Sequence, residues 1–128
     1  MVAGDAIWIV NADHWPRAYL RAELIERGYD AIGFETLKDA IDRLTPGHGA
    51  PPALLIIDLH GQVLSDGDRR ELSRRAVPIL ALVDAAASAD EPPVPLAGTL
   101  HRPLTIGAIA DAVDRLPGRP PDAPVRRP

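Results

Sequence analysis

Residues 53–59 read Ala53-Leu54-Leu55-Ile56-Ile57-Asp58-Leu59, an unbroken apolar run that admits one carboxylate near its carboxyl end. A strand with one wet face would alternate apolar and polar side chains, so a run apolar at every position marks a strand covered on both faces, as at the centre of a parallel sheet. Working outward, Ala6-Ile7-Trp8-Ile9-Val10 and Val77-Pro78-Ile79-Leu80-Ala81-Leu82-Val83 have the same character. Pro78 has no N–H to donate and is confined to the start of its strand. Residues 29–35 set Ile32 and Phe34 against smaller or polar neighbours, as an edge strand does, and 98–101 leave room for a brief last strand.

The segments between these runs read as helices. Over 15–27, Pro16 suits a first turn, Leu20, Leu24 and Ile25 form an apolar stripe, Glu23 can pair with Arg27, and Gly28 can end the helix. Thr36-Leu37-Lys38-Asp39 has the form of a capping box, and Leu37, Ala40, Ile41 and Leu44 follow at helical spacing. Residues 66–75 offer a short polar helix, and Thr105 can cap a last helix whose Ile106, Ile109, Val113 and Leu116 share a face. Pro92, Pro93 and Pro95 restrict any fourth helix within 84–95 to a turn or two, so that helix is expected to be short or missing. The Pro/Arg-rich stretch 117–128 is expected to be disordered. Strands alternating with helices at this pitch predict one three-layer α/β domain over 1–116, a parallel sheet with helices on both faces.

Composition narrows the function. A chain of 128 residues has the size of a single domain, and 46% hydrophobic with 25% charged residues is ordinary for a folded protein. The net charge of −4 provides no general attraction for nucleic acid, and Arg126 with Arg127 is too small a basic cluster for a nucleic-acid arm. With no cysteine there is no disulfide, thiolate metal site or thiol nucleophile. No signal peptide is visible and no apolar run nears the roughly 20 residues that span a bilayer, so a soluble, cytoplasmic protein without membrane contact is expected. His14, His48, His60 and His101 contain no i,i+4 pair of the zinc-binding kind and read as surface residues, although His60 and His101 follow strand ends near Asp58. Trp8 belongs to the core, whereas Trp15, opening the first helix, is expected to be partly exposed. Arg69, Arg70, Arg74 and Arg75 read as a solvated helix face on which Glu71 pairs with Arg75.

In a parallel α/β sheet, ligand chemistry gathers at the carboxyl ends of the strands. The residues placed there are Asn11, Ala12 and Asp13 after the first strand, Asp58 after the third, Val83 and Asp84 after the fourth, and Arg102 after the fifth. Taken as structure alone, Asp58 ends a buried strand and is satisfied by backbone amides or by Arg102.

The order and spacing of these segments resemble the response-regulator receiver (CheY-like) family across residues 6–116. Val10-Asn11-Ala12-Asp13 followed by Gly28-Tyr29 is similar to that family's first strand, acidic pair and Gly-aromatic helix end. Leu55-Ile56-Ile57-Asp58-Leu59 resembles the phosphoacceptor strand, 77–83 the strand that ends in a Thr or Ser, and His101-Arg102-Pro103-Leu104-Thr105 the Lys-Pro-aromatic-Ser segment. The resemblance implies a flavodoxin-like sheet of five parallel strands in the order 2-1-3-4-5, with Asp58 at the phosphoacceptor position. It also implies a Mg²⁺ held by that Asp and the acidic pair, which neutralises charge during in-line phosphoryl transfer.

Carried over position by position, the acidic pair falls on Asn11 and Ala12, neither of which is charged. The hydroxyl that senses a phosphoryl group falls on Val83, and the Lys on Arg102, which keeps a positive charge in a bulkier, forked form. Asp13 could cap the first helix or reach a cation together with Asp58, the cap being preferred. The expectation is a stand-alone, atypical receiver that is not an enzyme. It would work by binding a protein partner, a histidine kinase or phosphotransfer protein, as monomer or homodimer, with little or no Mg²⁺-dependent phosphorylation. Two alternatives are a working phosphoacceptor that uses Asp13, Asp58 and Arg102, and a flavodoxin-like small-molecule binder or enzyme using the same crevice. No Gly-rich phosphate loop and no nucleophile–base pair supports the last.

Overall fold

The structure, a computed structural model, describes residues 1–60, 62, 64–84 and 96–117. The possible helix in 84–95, from Ala85 onward, and the tail from Gly118 onward lie outside the described residues. The elements are β1 (Ala6–Val10), α1 (His14–Glu26), β2 (Asp30–Phe34), α2 (Leu37–Leu44), β3 (Leu54–Asp58), α3 (Asp66–Arg75), β4 (Ile79–Val83), β5 (Leu96–His101) and α4 (Ile106–Arg115).

The five strands form one sheet in the order β2-β1-β3-β4-β5, every pair parallel. β3 takes the central place its sequence demanded, buried along its whole length, and β2 lies at an edge. Alternation along the strands sends Ile7, Ile9, Leu54, Ile56, Leu80 and Leu82 to one face, covered by α1 and α4. Trp8, Val10, Leu55, Ile57 and Ile79 go to the other face, covered by α2 and α3. Each such aliphatic side chain contributes on the order of 1.5–3 kcal/mol on burial, so the two apolar faces hold the three layers together.

Helix boundaries follow local chemistry. Ser65 and Asp68 form a complete capping box, each side chain accepting from the other's backbone N–H, and this starts α3. Thr36 caps α2 by accepting from the Asp39 N–H at 3.1 Å. Thr105 does the same for α4 with Ala108 at 3.0 Å. Gly28, at φ +100°, supplies the left-handed turn that ends α1. Ile25 departs from expectation: it is 45% exposed, because it lies about 100° around the helix from Leu24, away from the buried line of Leu20 and Leu24.

At the amino ends of the strands, α1 is tied to α4. The Arg27 guanidinium donates to Glu23 at 2.8 Å, Asp111 at 2.8 Å and Asp114 at 2.6 Å. The buried Tyr29 hydroxyl also donates to Asp114, at 2.6 Å. Burial, reinforced by this acceptor, pushes the Tyr29 phenol up to about 12, while the Tyr29 hydrogen bond and then Arg27 hold the Asp114 carboxyl below its ordinary value. Among the described residues, no helix is long and apolar enough to cross a membrane.

Candidate functional site

Parallel register draws the strand ends into line, with Val10 beside Ile57, Asp58 beside Leu82, and Val83 beside His101. Residues immediately beyond these positions therefore face one another although they are distant in sequence.

Asp58 is the last residue of β3 and is 4% exposed. Its Oδ1 accepts the backbone N–H of His60 at 3.0 Å. Its Oδ2 accepts from the Asn11 side-chain amide at 3.2 Å and from the Arg102 guanidinium. Both oxygens are thus occupied by donors, and a backbone amide and Arg102 satisfy the strand-end carboxylate together.

Asn11 is also buried, and three further contacts fix it. Its N–H donates to the Phe34 carbonyl at 3.1 Å, its Oδ1 accepts the Asp13 N–H at 2.9 Å, and its own carbonyl accepts from Arg17 at 2.7 Å. Arg17 reaches that carbonyl by laying its stem across Gly33, where a Cβ would stand 3.0 Å from the Arg17 Cγ. Arg17 and Gly33 were not foreseen. The only hint in the sequence is a glycine inside an edge strand, the usual sign of close approach by a neighbouring group.

The other candidate residues lie at varying distances from this centre. Ala12 and Asp13 are exposed. Asp13 stands at the N-cap position of α1, but its side chain makes no capping hydrogen bond, which corrects the preferred reading of it. The reason is local: the Asp13 N–H turns inward to Asn11 Oδ1, and the backbone rather than the carboxylate starts the helix. Val83 is half-buried, and its carbonyl accepts the Arg102 N–H at 2.9 Å. Arg102 follows β5, joined by a cis peptide to Pro103, with its side chain 34% exposed. Its Nη1 makes no hydrogen bond among the described residues and lies 3.9 Å from Asp84, which also stands 3.5 Å from the His60 ring. His101 is exposed, His14 packs edge-on against Trp15, and His48 lies 3.1 Å from the Thr45 carbonyl, so the histidines do not gather.

Beneath the polar centre, between α1, α4 and the sheet, is a cavity of about 190 Å³. Leu20, Leu82, Ile106 and Ile109 line it together with Asn11, Asp58 and Arg102. Outside it, Trp15 is 63% exposed and stacks on the exposed Tyr19, ring centroids 5.8 Å apart, so two aromatic rings are open to solvent on the first turns of α1.

The donor set does not suit Mg²⁺. A hard cation needs several oxygen ligands, preferably with carboxylate charge. Here one buried carboxylate faces one guanidinium, its neighbour is an amide whose oxygen is already bonded, and the next position is a methyl group. Among the described residues, no three His, Cys, Asp or Glu side chains converge to hold a metal ion.

No family model and no curated protein matches the sequence. Solved structures do match in shape. Chemotaxis response regulator CheY4 of Vibrio cholerae superposes with a TM-score of 0.70 at 15% identity, over 88% of this chain and 98% of that one. The receiver domain of a sensor histidine kinase from Pseudomonas aeruginosa gives a TM-score of 0.69 at 21% identity, over 89% and 98%. That structure has a magnesium ion coordinated in its active-site cleft. The chain has the receiver fold. The N-terminal domain of a response regulator/sensory box/GGDEF protein from Carboxydothermus hydrogenoformans also shares it, with a TM-score of 0.65 at 18% identity over 85% and 90%. In this chain Asp58 stands at the end of β3.

Proposed function

We propose that this chain is an atypical receiver of two-component or phosphorelay signalling. It acts by binding a protein partner, a histidine kinase or phosphotransfer protein, and Asp58 occupies the phosphoacceptor position with little or no Mg²⁺-dependent phosphorylation. One observation carries the reading: the Asp58 carboxylate is held by Arg102, Asn11 and the His60 N–H, with no second carboxylate beside it among the described residues. In-line phosphoryl transfer onto a carboxylate depends on neutralising the charge of the incoming group. A balanced Asp58–Arg102 pair offers little net positive charge for that. Val83 supplies no hydroxyl for a phosphoryl oxygen, so the contact that would couple modification to shape is missing. The exposed Trp15–Tyr19 pair on the first turns of α1 supports the binding half of the proposal, since exposed Trp and Tyr side chains are common anchors at protein interfaces.

Incubation with acetyl phosphate and Mg²⁺, followed by intact mass, tests the reading, and the expected result is no adduct. A stoichiometric phosphate adduct that disappears in Asp58→Asn would establish instead the working phosphoacceptor built on Asp13, Asp58 and Arg102.

A further inference from the structure

We infer that the cavity between α1, α4 and the sheet is a binding site for a small uncharged molecule, an apolar body about the size of a six-membered ring that carries a hydrogen-bond acceptor such as a ketone oxygen. The inference goes beyond the protein-binding reading and does not depend on it. Protein interiors are packed so closely that voids larger than a water molecule are few, whereas this cavity measures about 190 Å³. An apolar cavity of roughly 150 Å³ is large enough to admit benzene. Pockets for nucleotides and other drug-sized ligands start at about 300 Å³, so this one selects something smaller.

The lining sets the chemistry of the occupant. Ile9, Leu20, Ile56, Leu82 and Ile109, drawn from β1, α1, β3, β4 and α4, are buried apolar side chains that offer dispersion contacts and no hydrogen bond. Asn11, Asp58 and Arg102 share the lining, and their acceptors are already in use: both Asp58 oxygens hold donors, and Asn11 Oδ1 holds the Asp13 N–H. Donors are in surplus. The Arg102 guanidinium has several N–H groups and, among the described residues, hydrogen-bonds only with Asp58, while the Asn11 amide nitrogen has a further hydrogen beyond the one it gives Asp58. An acceptor on the ligand answers that surplus. A net charge does not suit the site, because Asp58 already compensates Arg102 and Asp84 stands 3.9 Å from its Nη1, so an anion meets no unbalanced cation. An ion of either sign would also lose hydration that the apolar lining does not replace. Of the lining residues, Pro16 is exposed and Leu104 and Ile106 are half-buried, which places the entrance between the start of α1 and the β5–α4 connection.

The test uses the full chain, with cyclohexanone as the probe and methyl and side-chain N–H resonances as the readout. Saturable shifts are expected at the methyl groups of Leu20, Ile56, Leu82 and Ile109, while those of Leu55, Ile57 and Leu72, on the other face of the sheet, stay in place. The Asn11 amide and Arg102 guanidinium resonances are expected to move with the same saturation. Cyclohexanecarboxylate, which has the same ring and a negative charge, is expected to bind at least roughly tenfold more weakly. Leu104→Phe puts a ring into the entrance and is expected to abolish the saturable shifts, and Ile106→Phe serves the same purpose if that variant does not fold. The inference is overturned by the absence of saturable shifts up to about 10 mM ketone, or by equal affinity for the carboxylate. Methyl shifts that leave both the Asn11 and Arg102 resonances silent, or undiminished binding by a folded Phe variant, overturn it as well.

Discussion

Two ionic clusters sit at opposite edges of the same sheet, and they are built on opposite principles. At the amino ends of the strands, Arg27 gathers three carboxylates, Glu23, Asp111 and Asp114, whose side chains remain 33%, 58% and 44% exposed. At the carboxyl ends, Asp58 meets one guanidinium, one amide and one backbone N–H in a setting that leaves it 4% exposed. Water makes up any shortfall in the first cluster, so its charges need not balance and each pair contributes little. In the second cluster Asp58 is shielded from solvent, and the local groups must complete it. The edge that tolerates imbalance clamps helices, and the edge that does not carries the candidate site.

The largest expected effect breaks the buried cluster. Arg102→Ala leaves Asp58 without its counter-charge. Removing one partner of a fully buried pair costs about 3–5 kcal/mol, and Arg102 is 34% exposed, so about 2 kcal/mol is expected. Urea unfolding should show it, with a fall in Tm of roughly 10 °C.

Next is Tyr29→Phe, which removes the 2.6 Å bond to Asp114 and should cost about 1 kcal/mol. The same variant tests a pH effect. The folded-state phenol is raised to about 12 from an ordinary value of 10.0, so its contribution is complete below about pH 10 and lost as pH rises toward 12. Wild type should lose stability across that window and the Phe variant should not lose this part. Asp114 has the opposite sign: its folded-state value is depressed, so its contribution is present above the ordinary carboxyl value and lost as pH falls through the folded one. In Asp114→Asn that acid-side loss should vanish from a melting series run below pH 4.

Arg27→Ala should shift Tm less than either of the first two substitutions. That shift should shrink on going from about 0.1 M to about 1 M salt, while the shift from Arg102→Ala persists. Equal salt dependence at both ends would dissolve the contrast. The smallest effect is expected for Gly33→Val, within about 0.5 kcal/mol of wild type because the side chain it pushes aside is flexible. Its readout is local: displaced Arg17 should release the Asn11 carbonyl and move the Asn11 and Asp13 amide resonances.

The sheet was legible because its signal is binary. Leu54–Asp58 is apolar up to its terminal carboxylate, where a doubly covered strand must be, and 29–35 alternates where an edge strand can. Helix ends were less so. Thr36-Leu37-Lys38-Asp39 and Ser65-Asp66-Gly67-Asp68 have the same spacing of hydroxyl and carboxylate, yet the second is the complete box, because closure depends on how the chain enters the helix as well as on residue type. At the candidate site, strand-end placement correctly brought Asn11, Asp58 and Arg102 together. It could not show that Asp13 turns its N–H inward, or that Arg17 crosses from α1 to hold the Asn11 carbonyl over Gly33. Those contacts link side chains to backbone across elements, and no pattern within one element encodes them.

The positions of the two tryptophans make the protein its own double reporter. Trp8, 5% exposed within β1 and packed against Phe34 at 5.0 Å, senses only whether the core is assembled. Trp15, open to solvent on the first turn of α1, is the indole that a soluble quencher reaches and that a partner docked on that helix would shield. Acrylamide quenching should therefore resolve two emitting populations in the native protein, and engagement of the α1 face should protect the accessible one without disturbing the other.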